Sequence, residues 1–169
     1  MKRSISIFLV AVALAAPAMA RNTMYKLPLA DVLGSTDAKA RLDGSVKFFF
    51  GEGSMPAGAE MKGDDVISRI AKAAMWHNDA ASNQGASPSG SSTRATSEQN
   101  DDTSACKAAA LSAFVGIQEK AKQLGANAVA VVSYYKNDLF SSTTEYECHA
   151  GGTGGHLTFK ATFAVIPKN

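Results

Sequence analysis

The sequence has few cysteines and little net charge, and both shortages exclude classes of function. Of the 169 residues only two are cysteines, and they do not form the Cys-x-x-Cys pair of a thioredoxin-like oxidoreductase. Lys and Arg number 17 against 15 Asp and Glu. Because so balanced a chain has no long-range field to attract DNA, RNA or anionic lipid, we expect no nucleic-acid partner.

The sequence also lacks the motifs of common catalytic classes. Its densest glycine stretch, residues 151–155, continues into His156-Leu157 and not into the Gly-Lys-Ser/Thr of a phosphate-binding loop. A Gly-x-Ser-x-Gly elbow is absent, and nothing pairs a nucleophile with a histidine. We therefore expect a protein that is not an enzyme and that needs no cofactor, with an unrecognised hydrolase as a remote alternative.

The first twenty residues have the pattern of a cleaved signal peptide. Met1-Lys2-Arg3 is followed by an apolar run at residues 5–16, and the segment ends in Pro17-Ala18-Met19-Ala20. A basic start, an apolar centre and small residues before the cut are the three parts of such a peptide. The run is shorter than the roughly 20 residues that span a bilayer. We expect cleavage between Ala20 and Arg21, and a soluble periplasmic protein without a membrane anchor.

Cleavage after Ala20 would leave residues 21–169, a length that suits one domain. It would remove two basic residues and no acidic one, so the mature chain is expected to be neutral. In an oxidising compartment an even cysteine count favours a disulfide, here between Cys106 and Cys148. A simple hairpin would oppose this bond, because it places Cys148 about 17 Å from the turn at roughly 3.4 Å per residue.

Hydrophobic patterning predicts several strands. Residues 45–50 are rich in β-formers, and residues 126–135 are apolar on both faces, as in a central strand. Residues 143–149 and 157–165 alternate between apolar and polar side chains. Residues 65–76 fit a strand or a helix, and we favour a strand because the first strand needs a partner.

One long helix is predicted between residues 101 and 124. Its apolar stripe consists of Cys106, Ala110, Phe114, Ile117, Ala121 and Leu124. One or two short helical turns are expected at residues 27–42, with Ser35 or Thr36 as a cap. Together these elements predict an α+β domain: an antiparallel sheet of about four to five strands with the long helix packed on one face.

A polar insertion interrupts this domain. From residue 78 to residue 105 the chain contains no Leu, Ile, Val, Met or aromatic residue. Such a segment cannot bury enough apolar surface to offset the entropy of ordering it. We therefore predict a flexible Ser/Gly/Asn-rich insertion at about residues 79–103.

Three blocks carry a family resemblance: residues 105–113, 121–135 and 144–151. They resemble small secreted bacterial proteins that often carry an "excinuclease ATPase subunit" label. The helix and the following Gly125-Ala126-Asn127-Ala128-Val129 are also similar, more distantly, to YbjQ-type domains with a heavy-metal-binding label and to the stress-sensor lipoprotein RcsF. The resemblance implies a two-layer fold of the RcsF/YbjQ kind. It does not make the chain an ATPase, because the phosphate-binding loop is missing.

Glu145, Glu147 and His149 form the candidate metal site. They occupy alternate positions of one predicted strand, so two carboxylates and an imidazole share a face. Such a set could bind zinc or copper weakly, whereas an alternating polar face is more often simply solvated.

Two functions follow from the sequence. The first is a non-enzymatic periplasmic module that binds or senses through contacts with another envelope protein or with itself, as the resemblance to the stress sensor implies. The alternative is a periplasmic divalent-metal-binding protein that uses the Glu/His strand face.

Overall fold

The computed structural model of the protein describes residues 22–73, 94–151 and 154–167. The predicted signal peptide and the first part of the predicted insertion lie outside these ranges. The elements in chain order are β1 (Thr23–Pro28), α1 (Leu29–Leu33), α2 (Thr36–Arg41), β2 (Lys47–Phe50), β3 (Glu60–Met61), β4 (Val66–Ala73), α3 (Arg94–Gln123), β5 (Ala128–Tyr135), β6 (Asp138–Phe140), β7 (Glu145–Gly151) and β8 (Gly154–Val165).

The longest strand, β8, organises the sheet. One of its edges pairs with β4 and β3, and the other edge pairs first with β7 and then with β5. The two edges are distinguished at Ala161, which pairs with Val66 of β4 and with Val131 of β5. Beyond these strands, β1 pairs with β7, while β2 and β6 pair with the far edge of β5.

The α+β class predicted from the sequence is confirmed, but the sheet has more strands than the four to five predicted, and not all of its strand pairs are antiparallel. The described residues contain eight strands, and β2 runs parallel to β5 while every other pair is antiparallel. The missed strands have weak patterns. β3 has two residues, β6 has three, and β1 ends in Pro28, a residue that sheets tolerate at edges. The ambiguous stretch after residue 65 is a strand, β4, as we favoured.

The inner face of the sheet, as we call it here, carries the buried side chains of β8: Leu157, Phe159, Ala161 and Phe163. The intervening residues of β8 point to the opposite, outer face, because successive side chains of a strand alternate. On the inner face Phe114 of α3 stacks on Phe159, with ring centroids 5.1 Å apart. Phe48 and Phe50 of β2 meet Phe114 edge to face, so α3 and β2 share one aromatic cluster.

The helix α3 begins earlier than the sequence predicts. It starts at Arg94, so residues 94–103 of the predicted flexible insertion are helical, and residues 79–93 lie outside the described residues. Tertiary contact explains part of the difference. The Asp102 side chain is buried, and the Tyr25 hydroxyl of β1 donates a hydrogen bond to it over 2.9 Å. A polar helical turn that packs against a strand is not visible in its own hydrophobic pattern.

The short N-terminal helices follow their local signals. The Ser35 hydroxyl accepts a hydrogen bond from the Ala38 amide at the start of α2, which confirms Ser35 as the cap. Val32 and Ala38 are buried in the core, so both helices add to it. In the described part of the chain, no helix is both long enough and apolar enough to cross a membrane.

Candidate functional site

The two cysteines are joined where α3 meets β7. Cys106 and Cys148 form a disulfide with a Cα–Cα distance of 5.9 Å, and both residues are fully buried. The predicted pairing is therefore present in the structure, and it connects the long helix covalently to the sheet.

Strand direction explains how this pairing is possible. Both β5 and β7 are antiparallel to β8, so they run in the same direction and do not form a simple hairpin. The short strand β6 runs antiparallel to β5, so the chain reverses once before β6 and again before β7. β7 lies beside the end of β5, where the Glu147 amide donates to the Ser133 hydroxyl over 3.0 Å. Because α3 begins at Arg94 and not near residue 101, Cys106 lies more than three turns after the start of the helix, at about 3.6 residues per turn.

The junction between β5 and β7 also holds a histidine cluster. The His149 ring stacks on the Tyr135 ring with centroids 3.6 Å apart. Its Nε2 atom is 2.8 Å from a carboxylate oxygen of Glu147, and the side chains of His149 and Glu147 are only 10% and 15% exposed. His156 of β8 is the cross-strand neighbour of His149. The cluster is therefore a packed, hydrogen-bonded group and not the solvated strand face that the alternation suggests.

The structure does not support the predicted metal site. It brings Glu147 and His149 together, but Glu145 is exposed near the beginning of β7, opposite Pro28 of β1. Across residues 22–73, 94–151 and 154–167, no group of three or more His, Cys, Asp or Glu side chains converges so as to hold a metal ion. Metal binding by this chain remains a prediction from the sequence without a site of the required geometry.

The outer face carries a groove with a volume of about 250 Å³. Its floor is formed by the outward residues of β5 and β8, among them Ala130, Val132 and Thr162. One wall is the segment from Gly51 to β3, which contributes Met55 and Met61, and Leu139 of β6 lines the groove as well. The groove exists because the floor has small side chains while its walls carry long apolar ones.

Two polar residues that line the groove, Lys160 and Thr162, both contact Asp65. The Asp65 carboxylate accepts a hydrogen bond from the Thr162 hydroxyl over 2.6 Å and forms an ion pair with Lys160 at 2.8 Å. The hydrogen bond from Lys160, and after it that from Thr162, lowers the pKa of the Asp65 carboxyl below its ordinary range. The same ion pair raises the pKa of Lys160. Both groups are therefore charged at neutral pH and largely neutralise each other.

Large apolar side chains are exposed around the groove. Met61 is 53% exposed, Ile67 is 44% exposed and Leu139 is 40% exposed. All three point to the outer face, since their strand partners Ala164, Lys160 and Tyr134 do so. We refer to these three residues and the groove between them as the outer apolar patch.

Sequence reasoning missed this patch for a definite reason. Its parts come from three separate regions, residues 51–67, 130–139 and 160–162, which only the strand pairing brings together. A usable signal was present in β5, whose residues are apolar on both faces and therefore require a covering on each.

Comparison of the chain with protein-family models, curated proteins and solved structures gives no significant match.

Proposed function

We propose that this chain is a non-enzymatic, exported module of the cell envelope that binds another envelope protein through the outer apolar patch. In this proposal α3 covers the inner face of the sheet, and the outer face is left for the partner. The disulfide supports the export part, because disulfides persist in oxidising compartments and are rare in the cytosol.

The observation that carries the proposal is the exposure of Met61, Ile67 and Leu139 on one sheet face. Scattered exposed apolar residues are ordinary on protein surfaces, but apolar residues grouped around a groove are typical of protein-binding surfaces. Methionine strengthens this interpretation, because its flexible thioether side chain adapts to varied partners.

Affinity capture with matched baits tests the proposal. The purified protein, its Met61→Asp/Leu139→Asp variant and a Met24→Asp control would each be exposed to the same periplasmic extract. Met24 is the control because it is 53% exposed yet lies on β1, outside the groove. We expect one protein to be retained by the parent and the control but lost from the groove variant. Equal retention by all three baits, or retention only of a second copy of the chain, would contradict the proposal.

The export part has its own test. The intact mass of the protein recovered from the periplasm should correspond to a chain that begins at Arg21. Recovery of a chain that retains residues 1–20, or of the protein only in the cytoplasm, would overturn it.

A further inference from the structure

The size of the groove indicates what kind of group fits it. Small-molecule pockets typically have volumes of about 300–1,000 Å³, and the groove has about 250 Å³ and is open on one side. It is therefore better matched to a single side chain from a partner than to a cofactor or a drug-sized ligand.

The lining of the groove favours an aliphatic side chain. Ala130, Val132 and Leu139 are apolar, and the polar residues Lys160 and Thr162 both make their contacts with Asp65. A polar ligand group would have to compete with this existing network, whereas an aliphatic group would bury against the apolar residues and leave the network intact.

The charge at the groove indicates what should stand next to that side chain. Three charged groups are associated with the groove, namely Glu52, Asp65 and Lys160, and together they carry one net negative charge. Asp65 and Lys160 form an ion pair with each other. Glu52 is exposed, and its carboxylate attracts Lys160 electrostatically but forms no ion pair with any residue of the described ranges, so it can interact with a cation of the partner.

We propose that the groove binds an aliphatic side chain of a partner polypeptide segment that carries Lys or Arg beside it. The aliphatic group occupies the space between Met61 and Leu139, and the neighbouring cation lies close to Glu52. This inference rests on the proposed function and specifies the chemistry of the partner at that site.

Two short peptides test the inference directly. Acetyl-Ala-Leu-Lys-Ala-amide and its counterpart with Glu in place of Lys would be titrated into the ¹⁵N-labelled, disulfide-bonded protein, and the amide shifts followed by NMR. We expect millimolar binding of the Lys peptide, with shifts at Met61, Val132 and Leu139. Because exposed ion pairs are worth little, the Glu peptide should bind about threefold more weakly.

Four variants locate the effect. Glu52→Gln should make the two peptides equal in affinity, while Ala130→Leu, which fills the floor, should remove the shifts caused by both. Should Ala130→Leu give the spectrum of an unfolded chain, Leu139→Ala replaces it and should weaken both peptides alike. Met24→Ala should leave both titrations unchanged.

Two results would overturn the inference: no shifts at groove residues with millimolar peptide, or equal affinity of the parent protein for both peptides. The proposed function is tested separately, by the capture experiment. If the capture experiment still retains one partner in a groove-dependent way, then the protein binds through the outer apolar patch but not through a basic segment.

Discussion

At the scale of single residues, one close backbone approach sets the distance between α3 and the sheet. A Cβ atom added to Gly155 would lie 2.8 Å from the carbonyl carbon and oxygen of Ala105 and from the amide nitrogen of Cys106. Backbone atoms of a helix cannot move independently, so the whole element would have to shift. Glycine is therefore needed at this position of β8 because of space.

We predict that Gly155→Ala destabilises the protein by about 1–3 kcal/mol, the usual cost of overpacking. Gly116→Ala is the matched control, since a Cβ atom there meets nothing within 4 Å and lies within α3. The control should stabilise the protein by roughly 0.5–1 kcal/mol through helix propensity. Urea unfolding of both variants measures the difference, and a Gly155→Ala protein as stable as its parent would contradict the packing described here.

A second residue-scale feature is the exposed carboxylate of Asp43. It accepts hydrogen bonds from Lys122 of α3 and from Ser45, and these bonds hold its pKa far below the ordinary value of 3.8. The amide of Asp43 in turn donates to the buried side chain of Gln118. The loop after α2 is thereby attached to the end of α3.

The depressed pKa has a definite consequence for stability. A carboxyl group whose pKa is lower in the folded than in the unfolded chain stabilises the fold above the unfolded pKa, and this contribution is lost as the pH falls below it. We predict that the melting temperature of the parent falls as the pH is lowered from 5 to below about 4. In Asp43→Asn the melting temperature should fall less over the same interval. Asp65 acts with the same sign, so some acid sensitivity should remain. Identical acid profiles for parent and variant would show that the Asp43 contacts contribute nothing.

At the scale of elements, the disulfide joins α3 to β7 through two cysteines that are 42 residues apart along the chain. Closing a loop of this length restricts the unfolded chain, and the chain-entropy model gives about 4 kcal/mol for it. We predict that Cys106→Ala/Cys148→Ala lowers the free energy of unfolding by about that amount. The parent should also show no reactive thiols when denatured without reductant. Two reactive thiols per chain, or equal stability of parent and double variant, would refute the assignment.

The elements also show where sequence patterns are informative and where they stop. The stripe of α3 and the alternation in β8 are visible in the sequence because many successive residues repeat one period. β6 is not visible, since three residues carry no period, and yet it sets the direction of β7. Without β6 the sequence suggests a simple hairpin, in which Cys148 would lie too far from Cys106 for the disulfide.

At the scale of the whole molecule, the candidate site depends on strand order, which local patterns do not contain. The sequence offers His149 as a candidate metal ligand, but its ring stacks on Tyr135 and lies within hydrogen-bond distance of Glu147, because β7 and β5 pair one after the other with the same edge of β8. The outer apolar patch likewise combines residues from β3, β4 and β6. Residue types along a strand predicted the faces, whereas only the pairing of distant strands determines which groups meet.

The measurement that tests the central claim most directly is site-specific photo-crosslinking in the periplasm. A photoreactive amino acid would replace Leu139 or Ile67 of the outer apolar patch, or Ala40, which is exposed on α2. The account predicts one discrete adduct with another envelope protein from positions 139 and 67, and none from position 40. Adducts of equal yield from all three positions, adducts with a second copy of the chain, or no adduct from the patch would contradict it.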